Sequence, residues 1–314
     1  MSTTNRAFIK AYRQDAPEDS PRGDGSSTIR NQAATPIREA AVRTSTTVGS
    51  PARSNFGPQP SGQKRPLSSY IARPHSSDTT SHHDSVDFLH PGTTIASLQW
   101  PKICRTLCAD VGPQLDRLAN SLRAHADAGR SLIGIMGLFP RVGATTAALC
   151  LAMRAARHAR RIILVDGNFC HPRIASWLDA EPTVGWDEVL RHAAPLADAL
   201  IRANDDNLDV LALGPKAAKN PQTLAASLQA AGNAGVLRHA YDLVLIDIGP
   251  FFDPDTQPVV LDLVRNLGID CVAAVTGPQP ADPRDLATIV EYLEPLGCQL
   301  LGTIENRVAN KQSL

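Results

Sequence analysis

The stretch "LIGIMGLFPRVGATTAALCLAMRAARHAR", residues 132–160, decides the fold. Its first six residues, "LIGIMG", are a short apolar run of the length of a buried strand. "GLFPRVGATT", residues 137–146, supplies the Gly and Pro of a tight loop. "TTAALCLAMRAARHAR" then carries the Ala, Leu, Met and Arg content of a strong helix former. Strand, glycine-bearing loop and helix in that order make an anion site, because the first backbone amides of a helix point outward without an internal partner.

Working outward, the same alternation recurs. "RIILVDGNFCHP" reads as a strand ending in a polar loop, with "RIASWL" and "GWDEVLRHA" as short helices. "LDVLALG", "YDLVLIDIGP", "CVAAVTG" and "QLLGTIEN" are further strands. "PQTLAASLQAAGNAG", "PVVLDLVRNLG" and "DPRDLATIVEYLEPLG" are the helices between them. Near-continuous apolar strands separated by helices predict an α/β fold whose mainly parallel, doubly wound sheet is covered on both faces in three layers. In such sheets a ligand crevice lies beyond the carboxyl ends of the strands. Upstream, "GPQLDRLANSLRAHADAG" places Leu115, Leu118, Ala119, Leu122 and Ala126 at helical spacing, an amphipathic helix.

Composition sets the organisation. Residues 1–90 are rich in Ser, Thr, Pro, Gly, Arg and Asp and poor in large apolar residues, which predicts a disordered tail. Within it, segment 6–14 mixes Phe8, Ile9 and Tyr12 with Lys10 and Arg13, the pattern of a segment that folds on docking to a partner. Residues 91–129 read as a linker and the amphipathic helix, 130–308 as the α/β domain and 309–314 as a C-terminal tail. The 314-residue chain has formal net charge +0 and a pI near 7.1, so no global field draws it to nucleic acid or to an anionic membrane. No apolar run reaches the roughly 18 residues of a membrane span, so no direct membrane insertion is expected. The six cysteines form no CxxC pair and read as reduced, mostly buried thiols of a cytoplasmic protein. Cys104 and Cys108 share a helix face at i, i+4 spacing, but no second pair at ligand spacing accompanies them, and no structural metal is expected.

Two acids give the crevice its chemistry. Asp166 ends "IILVD" and Asp247 ends "LVLID", each after four apolar residues. An acid at a strand tip facing a phosphate loop is how such proteins hold Mg²⁺ or its bound water. With these residues in place, the segment from about 130 to 308 resembles the bacterial tyrosine kinases of capsule and exopolysaccharide synthesis, P-loop relatives of the MinD and ParA ATPases. The resemblance implies a P-loop NTPase-like domain and a loop similar to GxxPxxGK[ST]. Gly137, Pro140, Gly143 and Thr145 match that loop, and Ala144 stands at the lysine position. Its second motif, similar to DxDxRxP, appears as "DGNFCHP", with Asp166 and Pro172 kept, Asn168 in place of an acid and Cys170 in place of a basic residue. Its third appears as "VLIDIGP", with Asp247 and Pro250 kept. "GTIEN" is similar to the strand whose closing Asn, here Asn306, approaches the base.

The resemblance therefore implies a phosphate and nucleotide site of Gly137, Pro140, Arg141, Gly143, Ala144, Thr145, Thr146 and Asn306. Asp166 and Asp247 take the catalytic places, and Thr145, Asp166 and Asp247 the Mg²⁺ places. The missing lysine decides what survives. A hydrogen bond to a charged group is worth ~1.5–3 kcal/mol, so binding weakens roughly ten- to a hundredfold. The transfer rate falls further, by ~10²–10³ for one comparable donor. Backbone amides at 143–146 still cradle a phosphate. Arg141, three positions before Ala144, reads first as a solvent-facing loop arginine; the alternative is that it returns charge to the loop, although a planar guanidinium does not reproduce an ammonium's position. Trp177 and Trp186 read as core packing rather than a stacking platform.

The family also ends in a tyrosine cluster. This sequence closes with "NRVANKQSL" and its tyrosines are Tyr12, Tyr70, Tyr241 and Tyr292, so autophosphorylation of such a cluster is not expected. The expected function is a catalytically degenerate regulator of polysaccharide assembly. It would bind Mg-ATP or Mg-ADP weakly or not at all and act through a protein partner such as a membrane adaptor, with homo-oligomers allowed. An active tyrosine kinase and a ParA- or MinD-like positioning ATPase are the alternatives. Phe139 stands near the second signature lysine that the latter uses.

Overall fold

The structure, a computed structural model, describes residues 89–158, 161–214 and 219–307. Segment 6–14, Tyr12, Tyr70 and the C-terminal residues 309–314 lie outside the described residues. Eight strands form one sheet: β1 (Thr93–Ile95), β2 (Leu132–Gly137), β3 (Ile162–Asp166), β4 (Leu200–Ala203), β5 (Leu208–Leu211), β6 (Leu243–Pro250), β7 (Cys271–Thr276) and β8 (Gln299–Glu305). Their spatial order is β1-β4-β5-β3-β6-β2-β7-β8. Every pairing is parallel except β4 with β5.

Period-two alternation sorts the strand side chains into two cores. Ile133, Ile135, Ile162, Leu164, Leu243 and Leu245 face one side, with α1 (Lys102–Asp110), α2 (Gly112–Asp127), α3 (Ala144–Ala155) and α4 (Ile174–Leu178). Leu132, Ile163, Val165, Val244, Ile246 and Val272 face the other. Against them lie α5 (Trp186–Leu190), α6 (Pro221–Ala225), α7 (Gln229–Ala240), α8 (Gln257–Leu267) and α9 (Pro283–Leu293). Since β2 and β6 are buried along their whole length, the three-layer arrangement follows from having no polar face to turn to water.

Three expectations need correction. Residues 91–129 are more than a linker and one helix. β1 pairs with β4, Asp206 accepts from the Leu98 amide (2.6 Å) and the Trp100 indole (2.7 Å), and α1 precedes α2. A three-residue strand and a nine-residue helix are too short for periodicity to announce them. β4 was hidden in the same way, and Arg202 on it is paired with Asp209 of β5 through two 3.0 Å bonds. The single helix expected over 221–235 is two. Ser227 Oγ donates to the Leu190 carbonyl (2.8 Å) and accepts from the Gln229 amide (3.2 Å), ending α6 and starting α7.

Helix α2 is fastened to α3 by Arg154, whose Nε donates to Asp116 Oδ1 at 2.6 Å while its Nη2 reaches Oδ2. That guanidinium holds the Asp116 carboxyl below the ordinary range. Asp116→Asn is expected to cost about 1 kcal/mol, as a two-pronged pair at the edge of burial does, and urea unfolding at neutral pH measures it. No loss would show that α2 docks by its apolar face alone. Cys104 and Cys108 do share a face of α1. Both are buried and turn toward α3, where the Cys150 thiol lies 3.9 Å from the Cys104 carbonyl.

Candidate functional site

The loop after β2 is shaped by three devices. Leu138 donates to Val275 O (2.8 Å) and the amides of Phe251 and Phe252 donate to the carbonyls of Gly137 and Leu138 (2.8 Å each), so β7 and the end of β6 grip its stem. Arg141 at its tip has φ 65°, a left-handed backbone uncommon for a residue with a side chain. Gly143 begins α3 at φ 92°, and a Cβ there would meet Asn306 Nδ2 at 2.4 Å. Only glycine fits that place. Asn306 in turn donates from Nδ2 to the Val142 carbonyl at 2.9 Å, joining the residue after β8 to the loop.

α3 therefore presents its first amides, beginning at Ala144, to a cavity of about 660 Å³. The wall includes Gly137, Pro140, Arg141, Gly143, Ala144, Thr145, Thr146, Asp247 and Asn306, so the structure brings these sequence-predicted residues together. Thr145 Oγ donates to Asp247 Oδ2 at 2.6 Å. The other oxygen, Asp247 Oδ1, is buried and has no partner among the described residues.

Asp166 departs from expectation. It pairs in register with Asp247 across β3 and β6, yet it is not on the cavity wall. Oδ1 accepts from the Asn168 amide (3.2 Å), and Oδ2 from the amides of Arg173 and Ile174 (3.0 Å each). Both oxygens are thus committed to holding the turn between β3 and α4. Asn168, in the place of an acid, lines the cavity, and its Oδ1 accepts from the His171 amide at 3.1 Å.

Burial governs the charge state of this pair. Desolvation is the largest influence on Asp166 and, with the neighbouring Asp247 charge, moves its pKa up to about 7 against the pull of its three backbone bonds. Desolvation likewise moves Asp247 up to about 6, opposed first by the Thr145 hydroxyl and more weakly by the nearby Gly249 amide, which makes no hydrogen bond of ordinary geometry to Oδ1. Two adjacent buried carboxylates therefore resist carrying two charges unless a cation joins them.

Sequence reasoning missed part of the wall. Ile103 and Leu107 of α1, Trp177 of α4, and Arg173 also line the cavity. Trp177, read as core packing, is half-buried and does both. Phe139 is exposed and stacked on Phe252 with ring centroids 5.3 Å apart. Trp186 is fully buried beside Phe169 (5.4 Å), as a core residue should be. Among the described residues no group of three or more His, Cys, Asp or Glu is arranged to hold a metal, and no helix is long and apolar enough to cross a membrane.

Comparisons with known proteins agree with this geometry. No protein-family profile matches the chain. It is 27% identical over 184 residues to the tyrosine-protein kinase YwqD of Bacillus subtilis, covering 58% of this chain and 75% of that protein. It is 28% identical over 127 residues to the putative tyrosine-protein kinase AmsA of Erwinia amylovora, covering 40% of this chain but only 17% of that much longer relative. Among solved structures, the chimerical protein CapA2B2 superposes with a TM-score of 0.56 at 22% identity, over 71% of this chain and 96% of that one. The kinase domain of the Escherichia coli tyrosine kinase ETK superposes with 0.54 at 19%, over 72% and 93%. These superpositions show the P-loop fold. In sequence the chain is similar to bacterial tyrosine-protein kinases, and it shares their fold.

Proposed function

We propose that the chain is a catalytically degenerate, tyrosine-kinase-like P-loop protein that binds Mg-ATP or Mg-ADP weakly. On this reading it regulates exopolysaccharide or capsule assembly through protein contacts, at the cytoplasmic face of the membrane, where an adaptor recruits it. The pathway, the partner and the location come from the family resemblance. One observation supports the loss of chemistry: the first amides of α3 face the cavity, and Ala144, with only a methyl group, occupies the place where the resemblance puts a lysine.

The residues divide the work as follows. Amides of 143–146 bind phosphate oxygens at the start of α3. Gly137 and Pro140 shape the loop, and Arg141 adds charge at its tip. The orphaned Asp247 oxygen and the Thr145 hydroxyl fit Mg²⁺, a hard cation that takes oxygen ligands. When bound, the ion would neutralise phosphate charge. Asp166 positions the β3–α4 turn rather than ligating. Asn306 keeps the loop closed beside the nucleotide.

Calorimetric titration of the full chain with Mg-ATP and Mg-ADP, paired with phosphate-release and peptide-phosphorylation assays, tests this. Dissociation constants in the high micromolar range or weaker, with no magnesium-dependent turnover, are the expected result. Fast ATP cleavage by the wild-type protein would overturn it. The second reading is an active tyrosine kinase with an unusual loop, which would take its missing charge from arginines on the cavity wall. That reading requires phosphorylation of an added tyrosine peptide and its loss in Asp247→Ala.

A further inference from the structure

The sequence motif around Asp166 has lost its basic residue to Cys170, and the phosphate loop has lost its lysine to Ala144. Three positions beyond Cys170 stands Arg173, which the motif does not mark. We propose that Arg173, working with Arg141, is the side-chain cation on the terminal phosphates of a bound magnesium–nucleotide, in place of the missing lysine. The inference rests on the P-loop reading of this site and names a residue for the charge that reading lacks.

Four observations converge on it. Arg173 and Arg141 line the same cavity as the amides of residues 143–146. Asp166 accepts hydrogen bonds from the backbone amides of both Arg173 and Ile174, so the side chain leaves from a fixed point at the start of α4. Both are exposed, and among the described residues neither guanidinium has a hydrogen bond or an ion pair that holds it away from the cavity. The cavity's own carboxylates do not claim them. Asp253 Oδ1 accepts from the Asp255 (3.0 Å) and Thr256 (3.3 Å) amides, and Asp247 is buried, with Oδ2 taken by Thr145 and Oδ1 unpartnered.

That unpartnered oxygen, on a residue only 1% exposed, points independently to a ligand that brings a cation to the cavity. A magnesium polyphosphate supplies both halves, the cation for Asp247 and the anionic oxygens for the helix start and the two arginines. Guanidinium groups suit phosphate oxygens because their planar forks donate two parallel bonds. They do not track the transferring phosphoryl as a loop ammonium does, which agrees with binding outlasting transfer.

The test is calorimetry with Mg-ADP on four versions of the full chain: wild type, Arg173→Gln, Ala144→Lys and the double variant, each checked for its unfolding temperature. Arg173→Gln is expected to weaken binding roughly tenfold or more. Ala144→Lys is expected to restore most of that loss in the double variant, because either cation can serve. Arg173→Lys serves as a second probe and should recover part of the affinity. Binding unchanged in Arg173→Gln overturns the assignment while leaving the cradle in place. So does a loss that neither lysine variant repairs and that comes with a lower unfolding temperature, since that is a structural role. Absence of wild-type binding at millimolar Mg-ADP overturns it too, and leaves the non-catalytic reading standing. Fast ATP turnover by the wild type overturns that reading instead, without touching Arg173.

Discussion

Ala144→Lys is expected to tighten Mg-ATP binding and to raise magnesium-dependent ATP cleavage from background by ~10²–10³, the scale of one preorganised donor in a transition state. Affinity should improve less, roughly tenfold, because on the proposed reading the amides of 143–146 and the wall arginines already contact the ground state. Ala144 is the first residue of α3, half-buried against the core and lining the cavity, so an ammonium carried there extends into the site. The substitution has a small cost without nucleotide. A cation in the first helical turn opposes the helix dipole by ~0.3–1 kcal/mol. The unfolding temperature should therefore drop slightly in the apo protein and rise above wild type with Mg-ATP. Phosphate release and calorimetry read the two effects separately. If affinity and turnover both stay at the wild-type level, the loop does not cradle phosphate as described.

Asp247→Asn is expected to abolish the magnesium-dependent part of nucleotide binding and, in chelator, to stabilise the fold at alkaline pH. The sign follows from the raised pKa. The folded-state value is raised to about 6 from the ordinary carboxylate value of 3.8, so this group's contribution to stability is present in full below about pH 4 and is lost as pH rises through 6. Asparagine carries no charge to bury and loses nothing over that window. Its advantage should be absent near pH 4 and reach on the order of 3 kcal/mol by pH 8. Asp166, at about 7, titrates in both proteins. Removing the Asp247 charge should lower the Asp166 value and shift the remaining slope toward acid. Thermal unfolding in chelator at pH 4.5 and pH 8 measures the difference. A variant no more stable than wild type at pH 8 would mean that the carboxylate is not desolvated.

The sheet was legible because its long central strands are buried on both faces and so read as unbroken apolar runs. "LIGIMG" and "LVLIDIGP" became β2 and β6 with little change of boundary. The loop after β2 was legible for a different reason: Gly143 needs its left-handed backbone, and glycine spacing reports that directly. What stayed hidden depends on contacts distant in sequence. β1 and β4 are too short to show a period. Ser227 splits a helix by bonding to Leu190, 37 residues away. Asp166 and Asp247 look alike as strand-tip acids, and only the folded turn shows that one holds backbone amides while the other faces a cavity. Arg173 and the half-buried Trp177 carry no motif, and α4 brings them to the wall.

The bond from Asn306 to the Val142 carbonyl ties the residue that follows the sheet's last strand to the loop after β2, as a latch. Among the described residues β8 has a neighbour on one side only, β7. Anything that peels or extends that margin would pull on the latch and loosen the cradle from a distance, and a nucleotide that tightens the cradle would, by reciprocity, steady the margin.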